Sequence, residues 1–265
     1  MHKIYVEDCS ITAFHIDLIS DRVPLFQEKR KEKKMLRTSV SVIIPAFNEQ
    51  RTVGHVVEEA ISVMDGLGVP YEIIIVDDGS TDRTGQVATT FKATVLTNET
   101  NRGKGYAVRR GFEQATGDII VTLDADGSHS PKEIPDLISP LSNGTDIVGG
   151  SRFLGNSADS TTRLNRLGNF IFNTAITTLT GKRVTDSQTG FRAFKREVLE
   201  KLNLASSGYE IETEITVKGL KNGFTFEEKP IRCMQRQYSV SKLRILSDGT
   251  KILKTILKAN LAKID

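Results

Sequence analysis

Short runs of β-branched and aliphatic residues alternate with helical patterns along most of this chain. Runs of this kind are typical of strands, and apolar residues at three- and four-residue spacing are typical of helices. The alternation predicts an α/β fold, a mostly parallel sheet with helices on both faces. The predicted strands cover residues 40–44, 72–76, 93–96 and 118–123, and the predicted helices cover residues 49–64, 82–91 and 104–115, with a further helix opened by Ser130 and Pro131.

The length of 265 residues is enough for one large α/β domain with an appendage. We expect the domain at 38–235, an N-terminal extension of unknown role at 1–37, and a separate C-terminal segment at 236–265. The sequence contains no apolar run of the roughly 18 residues that a membrane span needs. It also lacks the apolar core of a secretory signal at its start. These features predict a cytoplasmic protein.

Charge is distributed unevenly along the chain, although the formal net charge is only +3. Residues 28–37 contain six basic and two acidic residues, and residues 229–265 contain nine and two. The rest of the chain is therefore acidic. The two basic segments indicate an anionic partner. Nucleic acid is disfavoured as that partner because aromatic residues are few and Trp is absent.

Acidic loops follow three of the predicted strands, at 45–49, 77–82 and 124–127. In open α/β sheets, ligands bind outside the carboxyl ends of the strands. The loops therefore predict an acidic crevice at one edge of the sheet. Asp124 and Asp126, spaced by one residue, can both face a hard divalent cation, and such a cation can neutralise a diphosphate. Dehydrogenase and P-loop functions are disfavoured, since neither GxGxxG opening a βαβ unit nor GxxxxGK[ST] is present.

Eight motifs, taken in order, resemble those of a known family. They lie at 45–49, 76–82, 101–105, 124–126, 149–153, 185–192, 208–210 and 236–243. The chain resembles the inverting glycosyltransferases of family two, which have the Rossmann-like GT-A fold, and within them the dolichyl-phosphate (polyprenyl-phosphate) sugar synthases. The resemblance covers roughly residues 39–257.

The resemblance implies transfer of a hexose or N-acetylhexosamine from a nucleotide-sugar to dolichyl or polyprenyl phosphate, with Mg²⁺ or Mn²⁺ at Asp124 and Asp126. UDP-glucose or UDP-N-acetylglucosamine is favoured as donor, followed by GDP-mannose. The implied catalytic residues are Asp124, Asp126 and Arg236, and the implied acceptor-phosphate residues are Arg152, Arg163, Arg236 and Lys242. The implied donor site comprises Pro45, Phe47, Glu49, Asp77, Asp78, Ser80, Lys104, Gly105, Asp124, Ala125 and Asp126.

The residues after the DxD motif depart from the family pattern. Mannosyl members commonly have Leu-Gln there, and that Gln helps to bind the metal, whereas this chain has Gly127 and Ser128. Ser128, His129 or water are the alternatives for the third ligand. Because of this departure, the resemblance does not determine which sugar is transferred.

Two other functions remain open from the sequence. In one, the acceptor is a sugar hydroxyl of a glycan, which requires a carboxylate base, and Asp186 or Glu210 is the first candidate. In the other, the chain binds nucleotide-sugar without turnover. A phosphate acceptor needs no base, because a phosphate monoester is largely dianionic at pH 7.

The C-terminal segment predicts a basic amphipathic helix. Ile252, Leu253, Ile256 and Leu257 fit one helical face, with lysines between them. This face can lie in the interface of an anionic membrane, or pack on the domain, which we expect for at least part of its length. The protein would then be peripheral at the cytoplasmic face of a membrane.

Overall fold

The structure is a computed structural model, and it describes residues 38–155, 162–234 and 245–261. The extension at 1–37 and the segment at 235–244 lie outside the described residues, so the expected domain division stays a prediction. The strands are β1 (Val40–Ala46), β2 (Tyr71–Asp77), β3 (Thr94–Thr97), β4 (Ile119–Thr122), β5 (Ile147–Ser151), β6 (Arg192–Lys195) and β7 (Phe226–Pro230). The helices are α1 (Val53–Leu67), α2 (Thr84–Ala88), α3 (Lys104–Gln114), α4 (Ile134–Ser142), α5 (Arg163–Thr180), α6 (Arg196–Lys201), α7 (Ile211–Lys221) and α8 (Ile245–Leu261), with a 3₁₀ turn at Pro131–Glu133 before α4.

The seven strands form one sheet in the order β3-β2-β1-β4-β6-β5-β7. Strands β1 to β4 are parallel, and β5 pairs with β7 in parallel. Strand β6 is antiparallel to both β4 and β5, with Thr122 opposite Arg192. The prediction of a mostly parallel sheet is confirmed.

Both faces of the sheet are covered, as the apolar strands predict. Along β1, Val42 and Ile44 pack with α1 and α4 on one face, whereas Ile43 packs with α3, α6 and α7 on the other. The edge strand β3 is the exception, because Thr94 and Thr97 are exposed. A third apolar cluster joins α5, α7 and α8.

Several predicted helix boundaries are wrong. Helix α1 begins at Val53 rather than residue 49, because Asn48 has a left-handed φ of 55° and the chain turns before the helix starts. Helix α2 is shorter than predicted, and Asp82 accepts a hydrogen bond from Thr84 N at its start. Ser130 caps the turn as predicted, by accepting from Lys132 N.

The predicted C-terminal helix is confirmed, but the four residues predicted to share one face differ in burial. Ile252 and Ile256 are buried in the cluster with α5 and α7, whereas Leu253 and Leu257 are exposed. Part of the stripe therefore packs on the domain, as expected. Among the described residues, no helix has the length and apolar character that crossing a bilayer requires.

Candidate active site

A cleft of about 400 Å³ opens at the carboxyl ends of β1, β2 and β4. Its lining includes eight residues of the predicted donor site: Pro45, Phe47, Glu49, Asp78, Lys104, Asp124, Ala125 and Asp126. Asn101, Tyr209 and three residues of α8 complete one side. The structure therefore brings the first, second and fourth strand ends together around one space, where the rule for open α/β sheets places the ligand.

Hydrogen bonds fasten the first strand-end loop to the second. Asn48 N donates to Ser80 Oγ at 2.9 Å, and Thr81 N donates to Asn48 Oδ1 at 2.8 Å. Glu49 N donates to Thr84 Oγ1 at 2.8 Å. The left-handed conformation of Asn48, which Asn tolerates better than most residues, allows these bonds. The two loops consequently form one preorganised wall of the cleft.

The two neighbouring aspartates at the end of β2 have different positions. Asp78 lines the cleft, and its two carboxylate oxygens accept from Asn98 Nδ2, Arg102 N and Gly103 N at 2.6–3.0 Å. Asp77 accepts from Ser80 N and faces Gly85 of α2. The described lining of the cleft does not include Asp77 or Ser80. Both residues shape the turn that carries Asp78.

Asp124 and Asp126 follow β4 and lie in the cleft. Asp126 is buried, and its Oδ1 accepts from Ser128 N at 2.9 Å. Gly127, between Asp126 and Ser128, has a left-handed φ of 72°, a conformation that glycine adopts without steric cost. Ser128 thus contributes its backbone to holding Asp126.

Lys104 joins the DxD motif to a distant helix. Its Nζ lies 2.7 Å from Asp124 Oδ1 and 2.8 Å from Glu212 Oε1 on α7. Burial disfavours the ammonium form, but the two carboxylates outweigh that effect and raise the pKa of Lys104. Burial also raises the pKa of Glu212, against the opposing effect of Lys104. The site thus holds a fixed positive charge beside Asp124.

Three glycines make room for this arrangement. A Cβ on Gly103 would lie 2.4 Å from Ser207 O, and one on Gly105 would lie 2.7 Å from Ser206 O. A Cβ on Gly190 would lie 2.5 Å from Lys104 Nζ and 2.7 Å from Asp124 Oδ1. Gly105, predicted to contact the donor, instead packs against the 206–208 segment, and the described lining of the cleft does not include it.

Arg152, predicted to bind the acceptor phosphate, forms a bidentate ion pair with the fully buried Asp186. Arg152 Nε and Nη2 lie 2.6 and 2.7 Å from its two oxygens. Burial disfavours the guanidinium, but Asp186 outweighs that effect and raises the pKa of Arg152. The chain at Asp186 is held by Glu228, which accepts from the backbone N–H groups of Thr185 and Asp186.

Arg192 is buried beneath the same loop and donates to Thr189 O, Ser187 O and Thr216 Oγ1. Burial lowers its pKa. Two of these bonds go to the loop between α5 and β6 and the third goes to α7, so Arg192 fastens the loop to that helix.

His129 is buried and packs against the Phe191 ring, with ring centroids 5.6 Å apart. Burial lowers its pKa, against the opposing effects of Asp124 and Asp126. Its Nε2 has no hydrogen-bond partner among the described residues.

The acidic residues of the cleft fit a divalent cation that is shared with a diphosphate. In the part of the chain that the structure describes, no three His, Cys, Asp or Glu side chains converge on a metal site of their own. Mg²⁺ is usually held by one or two carboxylates together with substrate phosphates and water. Asp124 and Asp126 supply that pair, which leaves the third ligand to the donor, water, Ser128 or His129.

Arg163 is a predicted acceptor-phosphate residue that is not among the residues lining the cleft. Arg163 is exposed at the first position of α5. Arg236 and Lys242 lie outside the described residues, so their proposed contacts remain predictions.

Sequence reasoning missed Glu212, Arg192 and the contribution of α8 through Ser247, Asp248 and Lys251. A signal existed for Glu212, because it and Glu214 interrupt an apolar helix pattern and buried carboxylates need partners. The cleft contacts of α8 depend on its packing against α5 and α7, which no local pattern reveals.

A Rossmann-like layered fold with paired carboxylates at a strand end defines a class of nucleotide-dependent transferases. Comparison with known proteins identifies the family. Residues 41–203 match the family described as Glycosyl transferase family 2. The chain belongs to this family and is a glycosyltransferase.

Relatives and solved structures agree with this assignment. An uncharacterized protein of Methanocaldococcus jannaschii is 35% identical over 82% of this chain and 90% of its own length. A dolichol-phosphate mannosyltransferase of Pyrococcus furiosus is 36% identical over 68% of this chain, and the match spans only 53% of that protein. The glucosyl-3-phosphoglycerate synthase of Mycobacterium tuberculosis, crystallised with Mn²⁺, UDP and phosphoglyceric acid, aligns with a TM-score of 0.71 at 24% identity. That alignment covers 89% of this chain and 83% of the synthase. The GT-A fold is confirmed.

Proposed function

We propose that this glycosyltransferase transfers a hexose or N-acetylhexosamine from a nucleotide-sugar to a polyprenyl phosphate, with inversion at the anomeric carbon and with Mg²⁺ or Mn²⁺. UDP-glucose and UDP-N-acetylglucosamine are the favoured donors, followed by GDP-mannose. The observation that carries the proposal is the placement of Asp124 and Asp126 in the cleft beside the ion-paired Lys104. The relative named as a dolichol-phosphate mannosyltransferase supports the choice of acceptor.

The donor half of the site contains three carboxylates and the ammonium group of Lys104. Asp78 is preorganised by three donors and can accept from base N–H or ribose hydroxyl groups of the nucleotide. Asp124 and Asp126 would hold the cation, which neutralises the diphosphate as it leaves. Lys104 holds the Asp124 carboxylate at the edge of the cleft through their ion pair. These contributions are electrostatic and positional.

The acceptor half has to bring a second anion close to the first. A phosphate monoester is already nucleophilic near pH 7, so the chain's task is to bind and orient it. Arginine suits this task because its guanidinium binds phosphate oxygens in pairs. We assign the role to Arg152 and Arg163, together with Arg236 and Lys242 from the segment outside the described residues.

A second candidate function has one observation in its favour. If the acceptor is a sugar hydroxyl, a carboxylate must take its proton. Asp186 is fully buried and paired with Arg152. Glu210 differs, because its Oε2 is buried without a hydrogen-bond partner among the described residues. Glu210 is therefore the better candidate base for glycan transfer.

A polyprenyl acceptor requires that the protein meet a membrane surface. The basic, amphipathic helix α8 is suited to that contact, since exposed leucines and lysines alternate along it. Residence at the cytoplasmic face stays a prediction from the sequence.

The test is a product assay with the purified full chain. UDP-glucose, UDP-N-acetylglucosamine and GDP-mannose are each incubated with polyprenyl phosphate and Mg²⁺ or Mn²⁺, and lipids are analysed by mass spectrometry. We expect a glycosylated polyprenyl phosphate with one donor, and its loss when EDTA removes the metal. The matched control acceptor is the polyprenol of equal length, which lacks the phosphate and should give no product. Product on a free glycan but none on polyprenyl phosphate would favour the second candidate.

A further inference from the structure

Helix α5 carries large apolar side chains on the side that faces solvent. Leu164, Leu167, Phe170 and Ile171 expose between 48% and 68% of their surfaces. Their spacing of three and four residues puts them on one side of the helix. We call these four residues the α5 face.

In the first half of α5, the side that faces the protein is polar, whereas the second half buries Ile176 in an apolar cluster. Asn169 and Asn173 are only 6% and 8% exposed, and Asn173 exchanges hydrogen bonds with Thr185 O and Ser187 N. A surface helix of a globular protein normally buries its apolar stripe and exposes its polar one. The inversion in α5 means that the α5 face needs a partner, because contiguous exposed apolar surface marks an interaction site.

Helix α8 adds a second apolar stripe next to α5. The two helices pack together through a cluster that contains Ile176, Ile252 and Ile256. On the exposed side of α8, Leu253, Leu257 and Leu261 recur every four residues, and Leu261 is 81% exposed. Three leucines at this spacing lie along one line of the helix.

The charges around both stripes are almost all positive. Helix α5 contains no Asp or Glu, and α8 contains only Asp248, which pairs with Lys251 at 3.8 Å. The cationic residues of these helices and of the turn after α5 are Arg163, Arg166, Lys182, Arg183, Lys251, Lys254 and Lys258. An apolar strip with a cationic border complements a bilayer that contains anionic lipids. A second copy of this chain is disfavoured as the occupant, because two cationic borders would meet.

A groove lies beside the α5 face and reaches the chain segments that carry Arg152 and Asp186. It has a volume of about 460 Å³, and its lining includes Phe170 of the α5 face together with Arg166, Arg183, Thr185 and Phe153. Thr185 and Phe153 are the chain neighbours of Asp186 and Arg152, which form the buried ion pair. The groove therefore runs from the α5 face to the residues assigned to the acceptor phosphate.

We propose that the α5 face, together with the leucine stripe of α8, docks on the surface of an anionic lipid bilayer. The inference deepens the proposed function and rests on it for the choice of a lipid surface as the occupant. It adds α5 to the membrane contact for which the sequence predicted the basic C-terminal helix. Docking at α5 places the mouth of the groove at the level of the lipid headgroups.

Vesicle sedimentation of the full chain tests the proposal without turnover. Vesicles of phosphatidylcholine alone are compared with vesicles that also contain phosphatidylglycerol. We expect binding to the mixed vesicles that weakens as salt is added, because the cationic border is screened. Leu167→Ser should weaken binding several-fold, and Leu164→Ser with Leu167→Ser at least about tenfold, since each leucine loses its apolar burial in the bilayer.

The matched control is Leu179→Ser, the same change on the same helix. Leu179 is 40% exposed but lies about a third of a turn around α5 from Leu167, toward the side of the helix that packs on the protein. Its binding should stay within about twofold of wild type, since exposed single leucines are common on protein surfaces. Thermal unfolding checks that each variant is folded, and Lys254→Gln with Lys258→Gln provides a second variant that leaves the apolar residues intact.

Three results would overturn the proposal. They are absence of vesicle binding by the wild type, equal loss in Leu167→Ser and Leu179→Ser, and a dimer in sedimentation equilibrium that Leu167→Ser dissociates. Transfer to a short, water-soluble polyprenyl phosphate separates this inference from the proposed function. If docking fails but transfer succeeds, only the inference is wrong, whereas docking without transfer would contradict the proposed function.

Discussion

Both ends of the central sheet carry carboxylates, and they are bound in different ways. At the amino end, Glu72 Oε1 accepts from Ser41 Oγ, Thr116 N and Thr116 Oγ1, all within 2.6–2.7 Å. At the carboxyl end, Asp124 contacts Lys104, which in turn contacts Glu212 on another helix, and all of this borders a cleft. A carboxylate that only accepts local hydrogen bonds stabilises the fold, whereas a carboxylate that borders a cleft can also bind a ligand. Variants at the two ends should therefore separate stability from activity.

The largest effect is expected for Asp126→Asn at the carboxyl end. The amide keeps the volume and can still accept from Ser128 N, but it loses the charge that a divalent cation needs. We expect the transfer rate to fall by at least about 100-fold, at or beyond the upper range for residues that support a metal site. Urea unfolding should show little change in the free energy of unfolding. An active Asp126→Asn enzyme would remove the basis for the metal role.

A smaller effect on activity is expected for Gly190→Ala. The new Cβ would lie within 2.8 Å of Lys104 Nζ and of both Asp124 oxygens, so the ion pair has to shift. We expect a loss of about 10- to 100-fold in kcat/KM, comparable to the loss of a group that orients a metal ligand.

The control for this prediction is Gly66→Ala, inside α1, where a Cβ would meet nothing within 4 Å. That change should leave kcat/KM intact and add roughly 0.5–1 kcal/mol of stability through helix propensity. Equal activities of the two variants would show that the position of Lys104 is unimportant.

The smallest effect is expected at the amino end, for Glu72→Gln. Burial alone would raise the pKa of Glu72, but its hydrogen bonds to Ser41 and Thr116 outweigh burial and lower it. Ionised Glu72 therefore stabilises the folded state fully above the pKa of glutamate in the unfolded chain, about 4.3. This stabilisation is lost as the pH falls through the lower folded-state pKa.

Glu72→Gln should accordingly cost about 1 kcal/mol near neutral pH, the difference between charged and neutral hydrogen bonds. Urea unfolding across a pH series measures the difference, which should shrink as the pH falls below the pKa of glutamate in the unfolded chain. Activity of the folded variant should match wild type. A cost that does not change with pH would contradict the charge argument.

The parts of the molecule that the sequence predicts are those built from local patterns. Strands β1, β2 and β4 follow from apolar runs, which are succeeded by Asp after β2 and β4 and by a loop ending in Glu49 after β1. All three loops border the cleft. The beginnings of α1 and α2 do not follow, because hydrogen bonds between the two loops, such as Glu49 N to Thr84 Oγ1, decide where each helix starts. Nearby sequence does not contain that information.

Long-range packing accounts for the remaining differences. The Lys104–Glu212 pair joins α3 to α7, two elements far apart in the chain. Arg152 carries the residue type that phosphate binding favours, yet its partner Asp186 becomes evident only when β5 and the loop before β6 meet. Side-chain type predicted what could bind a ligand, and tertiary contacts determined which groups are already paired.

The position of β6 has a consequence for how this architecture can diversify. The chain leaves the sheet after β5, passes through α5, and returns as β6 between β4 and β5, where antiparallel pairing with both neighbours fixes it. The excursion can therefore change in length and character without altering the register of the strands that carry Asp78 and Asp126. The excursion between β5 and β6 is therefore a place where the chain can accept insertions while the carboxylates of the cleft keep their positions.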